Sequence, residues 1–311
     1  MFAELPKLFD RDFAYAYFLP FALFIGATIG ICAESGLMPS MVEIVMRDLV
    51  LGTTVIGLVS WLGGIGLLVT NRELIRTLEG YGRLNPVRLL ARFEKQRFER
   101  KMAELNDLDS EYTAFSSRGQ DIPQEILSRR NQVVRDLAEE FPDRADLLLP
   151  TKFGNAVRAF EIYPRLMYGI DSIPGWTRLL TVVPKDYREL VDGAKSQMDF
   201  WLNVGFLSLL FLIEATSVIV YTGRFQVTWV LLTALVLALL ASQRAHSAAI
   251  GWGDFVKATF DIYLHELYAK LGTVPPVNRD GEIQFWKQFS QAMIYRLPNS
   301  LPEFKRPRLR D

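Results

Sequence analysis

The chain has 311 residues, enough for two soluble domains, and its 35 Lys and Arg balance 35 Asp and Glu. That zero net charge gives no electrostatic ground for a nucleic-acid partner. Half of the residues are hydrophobic, and the single cysteine, Cys32, excludes an intrachain disulfide and a cysteine-rich metal site.

The apolar residues are clustered in four runs, 13–33, 50–70, 201–221 and 227–243. Each is long and uncharged enough to cross ~30 Å of hydrocarbon as a helix. Before the first run, Glu4, Lys7, Asp10, Arg11 and Asp12 mix both signs. That run is also longer than the apolar part of a usual signal peptide, so it is expected to be a retained span. Ile31, just before Cys32, is too bulky for a lipoprotein cleavage site.

Orientation follows from the basic residues. Of the 35 Lys and Arg, only Arg47 lies in the connection 34–49 and only Arg224 in the turn 222–226. The remainder place both termini and the middle of the chain on the cytoplasmic side. The expected fold is therefore all-α: an integral membrane protein with four transmembrane helices, paired as two hairpins that flank a helical cytoplasmic domain. Its parts are a stub and first hairpin (1–70), the cytoplasmic domain (71–199), the second hairpin (200–243) and a cytoplasmic helical tail (244–311). The lipid bilayer is the first partner this implies.

Three of the runs carry small residues at every fourth position: Ala22, Gly26 and Gly30; Ser60 and Gly64; Ala234, Ala238 and Ser242. Such a face lets neighbouring backbones approach closely. It fits either a homo-oligomeric bundle or ordinary packing within one four-helix unit. Gly63, Gly64 and Gly66 also make a bend plausible in the second helix.

Glu214 is the ionisable residue well inside the spans, about 20 Å along the helix from Trp201 at ~1.5 Å per residue. Asn203, Leu207, Leu210, Glu214, Ser217 and Tyr221 share one helix face, so the carboxyl group belongs to a partly polar stripe. A charged Glu facing lipid costs several kcal/mol, so the stripe should face protein or water. Two readings stay open. Glu214 is protonated and donates to Ser60 or Thr54, or it is ionised and lines a cation path.

In the middle segment, Asn85 and Pro86 form a cap and first position for a charged helix reaching about Ser116. Its apolar positions are Leu89, Leu90, Phe93, Phe98 and Met102. A second amphipathic helix presents Ile126, Val133, Val134 and Leu137. An antiparallel pair is expected, either packed within its own domain or docking a cytoplasmic protein partner.

The densest polar stretch is LLPTKFGNAVRAFEIYPRLMYGID, 148–171. Thr151 reads as the N-cap of a short helix through about Ile162, with Gly154 and Asn155 in its first turn. Arg158 and Glu161 have i,i+3 ion-pair spacing. Pro164 is expected to end or kink that helix, and Tyr168 to Asp171 to form a turn. One glycine with no preceding strand is too little for a phosphate-binding loop. The stretch reads as a structural junction.

In the tail, Asp261 and His265 have a spacing that suits a metal, but two ligands are too few for a site. His265 reads as a hydrogen-bonded packing residue. The final basic run (Lys305, Arg306, Arg308, Arg310) suits anionic headgroups or a solvated end equally.

The motif PTKFGNAVRAFEIYPRLMYGID, followed by GWTRLL, resembles a family of uncharacterised bacterial integral membrane proteins with the pattern PTxxGN, RAxExYP, YGxD and WxRL. Glu79-Gly80-Tyr81, Phe260-Asp261, His265 and Leu267-Tyr268 look like further family features. The resemblance implies a multi-pass protein of a bacterial inner membrane and carries no activity with it.

Two histidines, one cysteine and no nucleophile–base motif make an enzyme the weakest class, with no cofactor and no metal expected. The leading expectation is an oligomeric, channel-like protein organised by its cytoplasmic helices. The alternative is a membrane-anchored scaffold, signalling protein or defence effector whose cytoplasmic domain docks a partner.

Overall fold

The computed structural model describes residues 10–37, 48–83 and 85–297. Arg47 and the basic run 305–310 lie outside these residues. No strand occurs among the described residues, whose ordered elements are helices. Four of them are long and apolar enough to cross a membrane.

We number the helices in chain order. α1 spans Arg11–Ser35 and contains a π-helical segment, Ala14–Phe18. α2 spans Leu49–Leu78. A 3₁₀ turn at Pro86–Leu90 leads into α3, Ala91–Ser117, and α4 spans Gln124–Glu140. α5 is Lys152–Tyr168, α6 Ser172–Leu179 and α7 Lys185–Thr222. α8 is Trp229–Leu271, and α9 Arg279–Tyr295. The apolar run 201–221 is thus a stretch of the longer α7, the run 227–243 falls in α8 from Trp229 on, and the helical continuation after Arg244 is unbroken to Leu271.

Backbone contacts divide the chain into two units, 1–75 with 192–249 and 76–191 with 250–311. In the first, Phe13, Ala16, Tyr17, Leu67 and Leu207 form a buried cluster, with Phe21, Phe24, Trp61 and Phe206 against it. Helix α2 crosses α1 closely at Gly64, where a Cβ would lie 3.2 Å from the backbone nitrogen of Phe18. Only a glycine leaves that space free. Farther along, Ile31, Ala215 and Val218 make a second cluster.

The second unit has an aromatic core. Trp286 and Tyr268 have ring centroids 4.7 Å apart, Trp286 and Phe289 5.5 Å, and Trp176 and Phe260 6.1 Å. Each such ring carries about 2–3 kcal/mol of apolar burial. Helices α3 and α4 form the expected pair, joined by Arg97 to Glu140 (2.8 Å), Arg130 to Asp109 (2.5 Å) and Lys101 to Asp136.

Two expectations fail here. Helix α5 does not stop near Ile162 but continues through Pro164 to Tyr168. Pro164 is buried, and the chain turns only at Gly169, whose φ of +81° suits glycine. A Cβ at Gly169 would lie 2.4 Å from the Ile283 carbonyl oxygen, so packing against α9 fixes where the helix ends. Second, Leu89, Leu90 and Phe93 do not join the apolar seam of α3; Phe98 is buried and these three are exposed.

Candidate functional site

Helix α7 carries the polar residues of the first unit. Its Asp199 is 2% exposed and accepts three hydrogen bonds. Tyr17 Oη donates to Oδ2 at 2.6 Å, Lys195 Nζ to Oδ2 at 2.6 Å, and Asn71 Nδ2 to Oδ1 at 3.1 Å. A buried carboxylate needs such partners, because desolvating an unpaired charge costs several kcal/mol. One helical turn on, Asn203 is fully buried, and its Nδ2 donates to the Ala16 carbonyl at 2.8 Å.

That last bond has a cause in the sequence. Pro20 lacks the N–H that would serve the carbonyl four residues earlier, that of Ala16. The π-helical segment lies at this position, a distortion frequent at functional sites. Asn203 thus completes a gap that Pro20 opens. The Oδ1 atoms of Asn71 and Asn203 are buried with no partner among the described residues, as is Ser60 Oγ. Two unpartnered acceptors within a turn of a buried carboxylate form an oxygen-rich environment that suits a small cation or a donating water.

The stripe foreseen along this helix is not uniform. Asn203 and Leu207 are buried, Glu214 is half-buried, and Ser217 and Tyr221 are exposed. Glu214 Oε2 accepts from Thr28 Oγ1 at 3.0 Å. The expected partners do otherwise: Ser60 has no hydrogen-bond partner among the described residues, and Thr54 donates to the Val50 carbonyl. Ser217 donates back to the Ile213 carbonyl. Leu207, in the buried cluster with Tyr17 and Leu67, interposes an apolar layer between Asn203 and Glu214.

The small residues divide in the same way. Gly64 is at the α1–α2 crossing, and Ala234 and Ala238 are buried. Around Gly26 and Gly30, however, nothing lies within 4 Å of where a Cβ would be. Gly30 borders an apolar cleft of about 670 Å³, lined by Phe24, Ile31, Leu207, Phe211 and Ala234 among others.

The polar stretch of the second unit is tied together by its caps. Thr151 Oγ1 accepts from the Gly154 N–H at 2.9 Å and donates to the Leu78 carbonyl at 2.7 Å, closing the C-terminal end of α2. Asn155 is fully buried; its Oδ1 accepts from the Leu149 N–H at 2.7 Å, and its Nδ2 donates to the Leu149 carbonyl and to Glu94, both at 3.0 Å. Arg158 pairs with Glu161 at 3.3 Å and donates to Tyr81 Oη at 2.8 Å. Burial, and then the nearby Glu161, push the Glu79 carboxyl up to about 7, against the opposing pull of Arg158 and Arg76. Burial likewise raises Glu161, with Arg158 opposing.

Tyr168 closes α5 and donates to Asp261 at 2.7 Å, and Tyr163 donates to the same carboxylate at 2.9 Å. Burial and this acceptor raise the Tyr163 phenol to about 12. Asp171 donates its backbone N–H to Ser290 Oγ at 2.9 Å. Contrary to the packing role foreseen for it, His265 is exposed; its Nδ1 lies 3.1 Å from the Ile262 carbonyl oxygen. Among the described residues no group of three His, Cys, Asp or Glu is placed to hold a metal ion.

No family model, curated protein or solved structure matches the chain. The functional reading therefore rests on the site geometry.

The Asp199 group escaped the sequence reading. Asp199 falls just before the third apolar run and Asn71 just after the second, while Tyr17 lies near the start of the first. A usable signal existed in the helical spacing of Asp192, Ser196, Asp199 and Asn203, continuous with the stripe that reaches Glu214.

Proposed function

We propose that the protein is a multi-pass membrane protein that admits a small cation, a proton or an alkali ion, along the polar face of α7. Asp199 carries this reading, as a carboxylate buried at the end of an apolar run beside amide oxygens that lack donors among the described residues. Ionisable groups in such places are expensive and are retained for ion and proton paths. Glu214 is the second station, and the apolar layer at Leu207 between them acts as the gate. The open side of Gly26 and Gly30 supports assembly into a homo-oligomer. The basic residues support cytoplasmic termini, and the resemblance of the 148–171 motif supports a bacterial inner membrane.

Flux of protons, sodium and potassium into proteoliposomes tests this. Wild type should conduct at least one of them, and Asp199→Asn and Glu214→Gln should each reduce that flux strongly. Equal and negligible flux from all three would remove the proposal.

One observation favours a second reading, a scaffold or signalling protein. The α3–α4 pair is held together by cross-helix ion pairs (Arg97–Glu140, Lys101–Asp136, Arg130–Asp109), which leave it a defined charged surface for a partner. If flux is absent, a partner bound by wild type and lost on deleting 91–140 would support that alternative.

A further inference from the structure

The three apolar residues that α3 leaves uncovered have a specific location. Leu89 is 79% exposed, Leu90 46% and Phe93 65%. Their spacing, i to i+4 and i to i+3, puts them on one face across the 3₁₀ turn and the first turn of α3. The residues Asn85 to Phe93 contain no acid, and Arg88 and Arg92 flank the apolar face in exposed positions. Neither arginine is in an ion pair among the described residues, and the neighbouring Glu94 is buried under Asn155 and Arg97.

A hydrogen bond ties the segment just before this patch to the end of α2. Asn85 Nδ2 donates to the Thr77 carbonyl in the last turn of α2 at 2.6 Å, while Asn85 Oδ1 caps the 3₁₀ turn through the Val87 N–H at 3.0 Å. The patch therefore follows closely, along the chain, on the end of a helix long and apolar enough to cross a membrane. From Thr70, the end of the apolar run, to Thr77 is about 10 Å of helix. The headgroup layer is roughly 5–8 Å thick on each side, so the last turn of α2 ends near its outer edge.

We propose that Leu89, Leu90 and Phe93 seat this segment in the headgroup layer of the membrane, with Arg88 and Arg92 on anionic lipid phosphates. Apolar wedges flanked by cations are the composition that interfacial helices use. The seat ties the start of α3 to the bilayer at the point where the chain leaves α2.

The test places a nitroxide label on the full chain in vesicles of equal parts phosphatidylcholine and phosphatidylglycerol. In a Cys32→Ser background, Phe93→Cys is compared with Ala103→Cys, an exposed site farther along α3. Collision with oxygen, which concentrates in lipid, is measured against collision with a water-soluble nickel chelate. The oxygen-to-nickel ratio should be several-fold higher at 93 than at 103. Equal ratios would overturn the proposal, since the patch would then face water. Shielding at 93 from both reagents would also overturn it, showing a protein cover such as a second copy. Leu89→Cys gives an independent reading at a still more exposed position and should agree with 93.

Discussion

Tyr17 and Asp199 stand 182 positions apart in sequence and share a buried hydrogen bond of 2.6 Å. The bond joins the π-helical segment of α1 to α7, and it gives the carboxylate one of its three donors. A hydrogen bond to a charged group contributes about 1.5–3 kcal/mol. Tyr17→Phe should lower stability by that amount, read as a reduced unfolding midpoint in detergent. Asp199→Asn combined with Tyr17→Phe should show a coupling of roughly 0.5–3 kcal/mol in a double-mutant cycle, because the two side chains are in contact. Additive effects would show that the pair is not energetically linked.

Glu79 ties stability to pH. Its folded value, about 7, lies above the ordinary 4.5, so between these values the folded state holds a proton that the unfolded state has released. Its contribution is full below pH 4.5, is lost as pH rises through 7, and is flat above. Glu79→Gln, which mimics the protonated form, should raise the unfolding midpoint at pH 8 and leave it nearly unchanged at pH 4.5. A midpoint gain of the same size at both values would contradict this.

The glycines of the small-residue faces should separate sharply. Gly64→Ala forces a Cβ against the Phe18 backbone and should cost about 1–3 kcal/mol. At Gly26 and Gly30 the added methyl meets nothing, and each Ala variant should be neutral or stabilising by up to ~1 kcal/mol. If Gly26→Ala or Gly30→Ala disrupts an oligomer seen by cross-linking in liposomes, that face is the contact between copies.

Asn155 holds the 148–171 stretch in place. Asn155→Ala strips a donor from the Leu149 carbonyl and from Glu94 and an acceptor from the Leu149 N–H, all in buried or half-buried surroundings. Each unsatisfied group costs about 1–3 kcal/mol, so a large loss of folded yield is expected. Arg158→Ala should act differently. It leaves the fold standing and raises Glu79 and Glu161 further, which would appear as a shift of the pH-dependent midpoint to higher pH.

Particular residues show why parts of this were legible beforehand. Thr151 and Asn85 cap as their types and positions predict, because a cap depends on a few adjacent residues. The four long apolar helices follow from composition alone. Pro164 shows where local rules stop. A proline normally ends a helix, but here burial and the approach of Ile283 to Gly169 carry α5 another turn. Glu214 shows the same limit: helix phasing gave the face it lies on, and only the packing of α1 on α7 made Thr28 its partner.

Sequence by itself determined the all-helical character, the apolar runs, their charge asymmetry and the caps, since each depends on residues within a few turns of one another. Tertiary structure alone decided the Asp199 group, whose members come from three helices, and the exposure of Leu89, Leu90 and Phe93. Helical periodicity says which residues share a face; it is long-range packing that settles whether the face meets protein, lipid or water.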